Sequence, residues 1–440
     1  MTRRVAFISE HASPLALLGG IDAGGQNVYV DAVSRHLPEH GYAVDVFTVW
    51  NDPAQPQVTE LAPGVCVVNI AVADGPREKD ALWPLMPAFR DGIARFAAAA
   101  GQPYDLIHGN FWMSGWVAAE LRVLWQVPAV QIFHATGVTK RREQGAADPS
   151  PPERIAVERE IVQRVDQMIA QCPAEEDELL ADYGAAPGQI ARIPSAVDTA
   201  RYRPLPQPEA RASLGLDPAA ELIVYVGRVI PRKDIRNIVR ALAALAAEHA
   251  ARPHLLIVGG ETTEPDERAT PEIAVLRALA AELGVADQLH FAGRRQPAEL
   301  HRWYSAADVV VTTPRYEPFG LTPLEAMACG APVIGADVGG ISFTVAHGET
   351  GFLVPPRNPV ALASRLAELL DDPALRERFG RAGVARVLHL FTWPRVGAQT
   401  ATLYDRVLDR HASRPHSMTD LSGDAPAWPG APSVRVGVPS

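Results

Sequence analysis

Short, unbroken apolar runs alternate with amphipathic stretches along most of the chain. Runs of strand length fall at VAFIS (5–9), VDVFTV (44–49), VCVVNI (65–70), LIHG (106–109), AVQIF (129–133) and QMIAQ (167–171). A second set follows at LIVYVG (222–227), HLLIVGG (254–260), QLHFAG (288–293), DVVVTT (308–313), PVIGA (332–336) and GFLVP (351–355). Apolar residues at consecutive positions, not at every second one, predict strands buried on both faces of mainly parallel sheets. Helices are predicted between them at 27–37, 86–99, 153–165, 236–249, 272–283 and 323–329, and near the end at 360–370, 373–389 and 395–411. Twelve strands are too many for one comfortable sheet, and they divide into two groups of six. The divider is the Pro-rich, polar stretch IPSAVDTARYRPLPQPEA (193–210). The expected fold class is α/β, with two Rossmann-like doubly wound domains, 1–196 and 197–390, facing each other across a cleft. The segment 412–440 is rich in Pro, Ser and Gly without periodicity and is expected to be a disordered tail.

Composition narrows the function classes. With 440 residues, 47% apolar and 21% charged, the chain can bury two sizeable cores, and its net charge of -10 argues against a general nucleic-acid binder. Basic charge is almost all arginine; the lysines are Lys79, Lys140 and Lys233, so each merits inspection. Cys66, Cys172 and Cys329 lie far apart with no metal-like spacing, which predicts a reducing compartment. No apolar stretch reaches the ~18 residues needed to span a bilayer. The expectation is a cytoplasmic protein with no transmembrane segment and no nucleic-acid partner; oligomeric state is not legible.

Candidate chemistry clusters where strands end. The stretch TTPRYEPFGLTPLEAMACG (312–330) joins an apolar strand to a helix and carries Glu317 and Glu325. Such loops lie at the carboxyl edge of an open sheet, where ligands bind. Thr322 as N-cap, Pro323 at the first helical position and Glu325 three after the cap predict a capping box. Glu325 therefore has a structural role available, whereas Glu317 has none. Glycine pairs Gly19-Gly20 and Gly24-Gly25 precede a helix near Gln26 and suit the approach of an anion, although a plain flexible loop is the alternative. His134 directly follows a strand; a lone histidine is more often structural, but its place improves its standing. Arg228 follows LIVYVG and Lys233 comes five later, a cation pair suited to a diphosphate; a solvated basic turn is the alternative. Arg154 and Lys79 are candidate anion contacts, Arg154 early on a helix whose charge also reads as a solvated face. No Asp-x-Asp and no His/Cys/carboxylate cluster occurs, so no metal and no cofactor is expected.

DAGGQNVYV, the Arg228/Lys233 spacing and Glu317-x7-Glu325 within EPFGLTPLE together resemble the family 4 retaining glycosyltransferases of GT-B fold, over roughly residues 4 to 408. The GGQNVYV opening is similar to the sucrose synthase and sucrose-phosphate synthase branch, and equally to the mycothiol-pathway enzyme that glycosylates an inositol phosphate. The resemblance implies a nucleotide-diphosphate sugar donor, UDP-glucose or UDP-N-acetylglucosamine, and a hydroxyl acceptor. It places Gly24 and Gly25 near the donor diphosphate and Arg228 and Lys233 on its oxygens. Glu317 and the backbone of Phe319, Gly320 and Leu321 would hold sugar and phosphate, Glu325 the ribose, and Arg294 the border of the base. His134 would meet the reacting region, and Asn27, Lys79 and Arg154 the acceptor. Phe111 and Ala135 stand where the inositol-phosphate enzyme has hydroxyl-bearing acceptor contacts, and Asp234 replaces the glycine that usually follows the lysine. The family's last helix returns to the N-terminal domain, which gives 395–411 a place. A nucleotide-sugar epimerase or phosphorylase on the same fold, and a non-catalytic nucleotide-sugar-binding protein, are the alternatives.

Overall fold

A computed structural model describes residues 2–16, 24–52, 54–72, 79–248 and 252–413. The Gly19-Gly20 pair and nearly all of the expected tail lie outside the described residues. The chain divides into two compact units: Met1–Ile193 together with the chain from Pro394 onward, and Pro194–Trp393.

Unit 1 carries eight strands: β1 (Arg3–Ile8), β2 (Tyr42–Val49), β3 (Val58–Ala62), β4 (Val65–Ile70), β5 (Leu106–Asn110), β6 (Ala129–Ile132), β7 (Gln167–Ala170) and β8 (Ile190–Arg192). Their order is β3-β4-β2-β1-β5-β6-β7-β8, parallel except where β3 meets β4. Every predicted strand of this half is present; β3 and β8 were not predicted. β3 is a partly exposed edge strand, VTELA, and β8 has three residues, so neither leaves a buried apolar run. The helix Trp112–Trp125, also unpredicted, is buried along most of its length and shows no polar face to give it a period. Trp112, Trp116 and Val117 from that helix pack with Ile8, Phe47, Val68 and Ile107 in the core.

The final helix, Trp393–Ala412, belongs largely to unit 1. Tyr404 Oη meets His108 Nδ1 at 2.5 Å inside the unit, Asp405 accepts from Arg3 and Tyr42, and Arg410 donates to Gln167. Gly397 comes so close to His36 that a Cβ there would strike the His36 side chain.

Unit 2 carries β9 (Leu222–Val226), β10 (His254–Val258), β11 (Leu289–Gly293), β12 (Val309–Thr312), β13 (Val333–Ala336) and β14 (Gly351–Val354). The order β11-β10-β9-β12-β13-β14 is wholly parallel. Counted from β9, this is the 3-2-1-4-5-6 order of a doubly wound sheet, whose crevice opens between the first and fourth strands. Here those are β9 and β12. In unit 1 the equivalent reversal lies between β1 and β5. Among the described residues no helix is long and apolar enough to cross a membrane.

Candidate active site

In unit 2 the loops after β9 and β12 meet: Arg315 N–H donates to Arg232 C=O at 3.0 Å. This brings Lys233 onto Glu317, and the two side chains form an ion pair in which each is only about one-sixth exposed, at 15% and 17%. Burial pushes the Glu317 carboxyl up, but Lys233 and Arg232 outweigh it and hold it below its ordinary value. Burial draws Lys233 down, helped by Arg232 and Arg228 and opposed by Glu317. Glu317, left without a structural partner by the sequence, therefore has one. Arg228 is exposed beside them, its carbonyl held by Tyr225 Oη at 2.8 Å. Asp234 occupies its position with φ +49, a left-handed conformation in which glycine is the unstrained choice and aspartate is tolerated.

The expected helix start at Thr322 is not what forms. The helix runs Leu321–Ala328 with Gly320 as N-cap at φ +87 and no side-chain cap. Because glycine turns the chain two residues earlier than expected, Glu325 lands at the fifth helical position, beyond reach of the cap. No capping box is made. The Glu325 carboxylate accepts from Tyr304 Oη at 2.6 Å and from the Tyr202 phenol instead. A second feature was not predicted: Gly339 and Gly340, after β13, press on the backbone of Glu317 and Phe319, where a Cβ would strike main-chain atoms. Gly340 N–H also donates to Glu317 C=O at 3.0 Å. Arg228, Lys233, Glu317, Phe319, Gly320 and Leu321 thus share the edge between β9 and β12. Arg294 does not join them: it is exposed after β11, the outermost strand, with its N–H bonded to Thr262 C=O at 2.8 Å.

In unit 1 the helix Gly25–His36 begins at the mouth of the sheet with Gly24 as N-cap. Asn27 is 3% exposed and ties that start together, its amide oxygen accepting from Gly24 N–H and its amide nitrogen donating to Ser13 C=O, each at 3.1 Å. It braces the loop. His134 follows β6 at φ +60, in a tight turn closed by Ala135 N–H on Phe133 C=O at 2.7 Å. Such a backbone is strained for a non-glycine residue and is characteristic of functional positions. Its Nε2 lies 3.2 Å from Asn110 Oδ1, and since Asn110 donates its amide N–H to Ile8 C=O, His134 is the donor. Burial first, then His108, His11 and Lys79, keep its imidazole neutral.

Phe111, at φ +79 and 3% exposed, is the hub of this edge. Lys79 Nζ lies 4.2 Å and Arg154 Cζ 4.9 Å from its ring centroid, and the His11 ring meets it edge-on at 5.0 Å. Cations over an aromatic face in a partly desolvated site gain roughly 1–2 kcal/mol each. Arg154, expected as a phosphate contact, is 3% exposed and largely committed: to Glu158 at 2.8 Å, Ser150 Oγ at 3.1 Å and Ala135 C=O at 2.6 Å. It is not a solvated helix face.

The start of the next helix, Gly137–Gln144, is closed internally. Both Glu158 oxygens accept from Gly137 N–H, and Glu178 accepts from Thr139 N–H and the Thr136 hydroxyl. Two carboxylates there take the place a ligand anion would fill. Also unforeseen was Glu10, fully buried, which accepts from the Ser114 hydroxyl and holds His11 Nδ1 at 2.7 Å. The signal was available, since His11 follows a strand end as His134 does. Among the described residues no group of three or more His, Cys, Asp or Glu is placed to hold a metal ion.

Comparison with known proteins agrees with this arrangement. Residues 206–386 match a family described as Glycosyl transferases group 1, and residues 23–201 one described as Glycosyltransferase Family 4. A D-inositol 3-phosphate glycosyltransferase 2 of Catenulispora acidiphila is 38% identical over 93% of this chain and 96% of its own length. One from Acidothermus cellulolyticus is 39% identical over 89% and 87%. Among solved structures, sucrose-phosphate synthase of Thermosynechococcus elongatus superposes with TM-score 0.83 at 34% identity, covering 93% of this chain and all of that one. Anabaena HepE in complex with UDP, at 20% identity and TM-score 0.72, shares the fold.

Proposed function

The chain belongs to the family 4 glycosyltransferases, with the two α/β domains of the GT-B fold, and we propose that it moves a hexosyl group from UDP-glucose or UDP-N-acetylglucosamine to a hydroxyl of a phosphorylated acceptor, with retention at the anomeric carbon. The observation that carries the donor half is the convergence of Arg228, Lys233 and Glu317 beside the uncapped helix Leu321–Ala328, at the switch point between β9 and β12.

The chemistry follows from the charges. When the acceptor oxygen attacks the anomeric carbon, the bond to the β-phosphate breaks and negative charge gathers on the departing diphosphate. Arg228, Lys233 and the N–H groups of Phe319, Gly320 and Leu321 meet that charge as it develops, where fixed cations and dipoles stabilise the transition state most. The acceptor proton passes to the leaving phosphate oxygen on the same face, so no enzyme nucleophile is assigned and Glu317 is a sugar anchor. Donor binding exchanges partners in the ion pair: the diphosphate takes Lys233 and the sugar hydroxyls take Glu317. Glu325 meets the ribose, and no metal ion is assigned a role.

On the acceptor side, Lys79 and Arg154 beside Phe111 suit an acceptor phosphate, with His134 at the reacting region and Asn27 bracing the loop that borders it. Relatives named for inositol 3-phosphate and for sucrose-phosphate support a phosphorylated polyol or sugar. Phe111 offers a ring where a hydroxyl would donate, so the acceptor phosphate rests on fewer neutral donors here. Thermal-shift measurements against UDP-, GDP- and ADP-sugars, followed by product mass spectrometry with D-inositol 3-phosphate and with sugar phosphates, test this. A UDP-sugar shift and a product one hexosyl unit heavier are expected. No shift with any nucleotide sugar refutes it.

A further inference from the structure

The Glu325 carboxylate projects from the helix Leu321–Ala328 in unit 2. Its contacts are two phenols. Tyr304, on the helix Leu300–Ala306, is fully buried and donates to one Glu325 oxygen at 2.6 Å. Tyr202, 6% exposed and eight residues after the start of unit 2, donates to the same carboxylate from the other chain segment. The two rings lie 6.1 Å apart at 62°, an edge-to-face pair that locks each against the other. Both phenols are pushed far above their ordinary values, burial first and Glu325 next, so they stay protonated and can only donate to it.

A carboxylate has about four lone-pair positions. Two fixed donors fill two of them and set the plane of the group, leaving two to accept from elsewhere. A vicinal diol supplies two O–H donors at matching spacing, and a ribose carries one. Glu325 sits one turn inside a helix, where its own backbone leaves it several rotamers; without the phenols nothing on the helix selects one. We propose that Tyr202 and Tyr304 are positioning residues for the nucleotide ribose, aiming the Glu325 carboxylate at its 2′,3′-diol. This rests on the reading of Glu325 as the ribose contact. Because Tyr202 lies in the first stretch of unit 2 after the boundary at Ile193, that stretch acts on nucleotide recognition through Glu325.

The test is calorimetric titration of full-length wild type, Tyr202→Phe and Tyr304→Phe with UDP and with 2′,3′-dideoxyuridine diphosphate. Wild type should bind UDP at least tenfold tighter than the dideoxy nucleotide. Each Tyr→Phe change should weaken UDP by about tenfold, a loss of one aligned charge-assisted hydrogen bond, yet leave the dideoxy nucleotide within twofold. A merely structural role for the tyrosines weakens both nucleotides equally, and that result overturns the proposal. So does full discrimination retained in both variants. If wild type binds UDP but does not distinguish the dideoxy form, Glu325 is not at the ribose. If wild type binds no UDP, the donor reading falls and the proposal with it. Tyr202→Phe, at the less buried site, serves if Tyr304→Phe does not fold.

Discussion

Glu175 offers a measurement that isolates one buried charge. It is the third residue of the helix Pro173–Ala181, it is buried, and its carboxylate accepts from Gln171 N–H at 2.7 Å with no ion pair among the described residues. Burial pushes its pKa from 4.5 up to about 7; the Gln171 bond pulls down and Glu178 adds to the rise. A carboxyl whose folded pKa is raised favours the neutral form in the folded state. Below pH 4.5 it is neutral in both states and contributes nothing. Between 4.5 and about 7 the folded state loses ground as pH rises, and above 7 the full cost applies. At about 1.4 kcal/mol per tenfold change in proton affinity, that cost is roughly 3 kcal/mol at pH 8 and falls below about 1 kcal/mol at pH 5. Glu175→Gln keeps the oxygen that accepts from Gln171 and removes the charge. Relative to wild type, the variant should gain about 2 kcal/mol more at pH 8 than at pH 5, by urea denaturation. In a scan this is several degrees, at about 2–4 °C per kcal/mol for a domain of this size. Any pH-independent cost of burying the amide cancels in that difference. A variant-minus-wild-type stability that is the same at both pH values refutes the reasoning.

Four further outcomes are expected. Lys233→Ala should lower kcat/KM for the UDP-sugar by about 10²-fold, roughly 3 kcal/mol of transition-state stabilisation; unchanged steady-state kinetics would remove it from the phosphate site. Glu317→Gln should do something different, tightening UDP in a binding titration because Lys233 is released, while turnover of the intact UDP-sugar falls. Turnover measured with and without EDTA should agree if, as proposed, Arg228 and Lys233 meet the diphosphate; a loss with EDTA would overturn the metal-free reading. Tyr404→Phe should destabilise the protein by about 1–2 kcal/mol in denaturant, because it strips the partner from His108, whose burial holds its pKa at about 3; no change in midpoint would show that this buried pair does not anchor the last helix.

Much of this was legible because a parallel sheet writes its strands as unbroken apolar runs, and all twelve such runs are strands. What escaped had no such signature: β3 shares the water-facing edge, and the helix Trp112–Trp125 is apolar nearly all round. The ends of the β9 and β12 strands, with Arg228, Lys233 and Glu317, were readable because chemistry gathers where strands stop. The capping role expected of Glu325 was misread, since spacing from Thr322 to Glu325 suits a capping box only if the helix starts at Thr322. Gly320 starts it earlier, and tyrosines distant in sequence take the carboxylate. Arg154 could be read as a solvated helix face because its partners, Glu158, Ser150 and the Ala135 carbonyl, converge only through folding. Sequence spacing reports local partners well; it is blind to which side chain arrives from another strand.

The return of the helix Trp393–Ala412 to unit 1 has a consequence for the order of manufacture. Unit 2 is one uninterrupted stretch and has every residue it needs once Trp393 has emerged from the ribosome. Unit 1 is made first yet finished last: Tyr404, Asp405 and Arg410, which close against His108, Arg3, Tyr42 and Gln167, are among the final described residues to be synthesised. Until they arrive, the nascent N-terminal half keeps open the groove they will fill. A message truncated at codon 394 would thus yield a whole unit 2 joined to a unit 1 that lacks the last brace of its sheet.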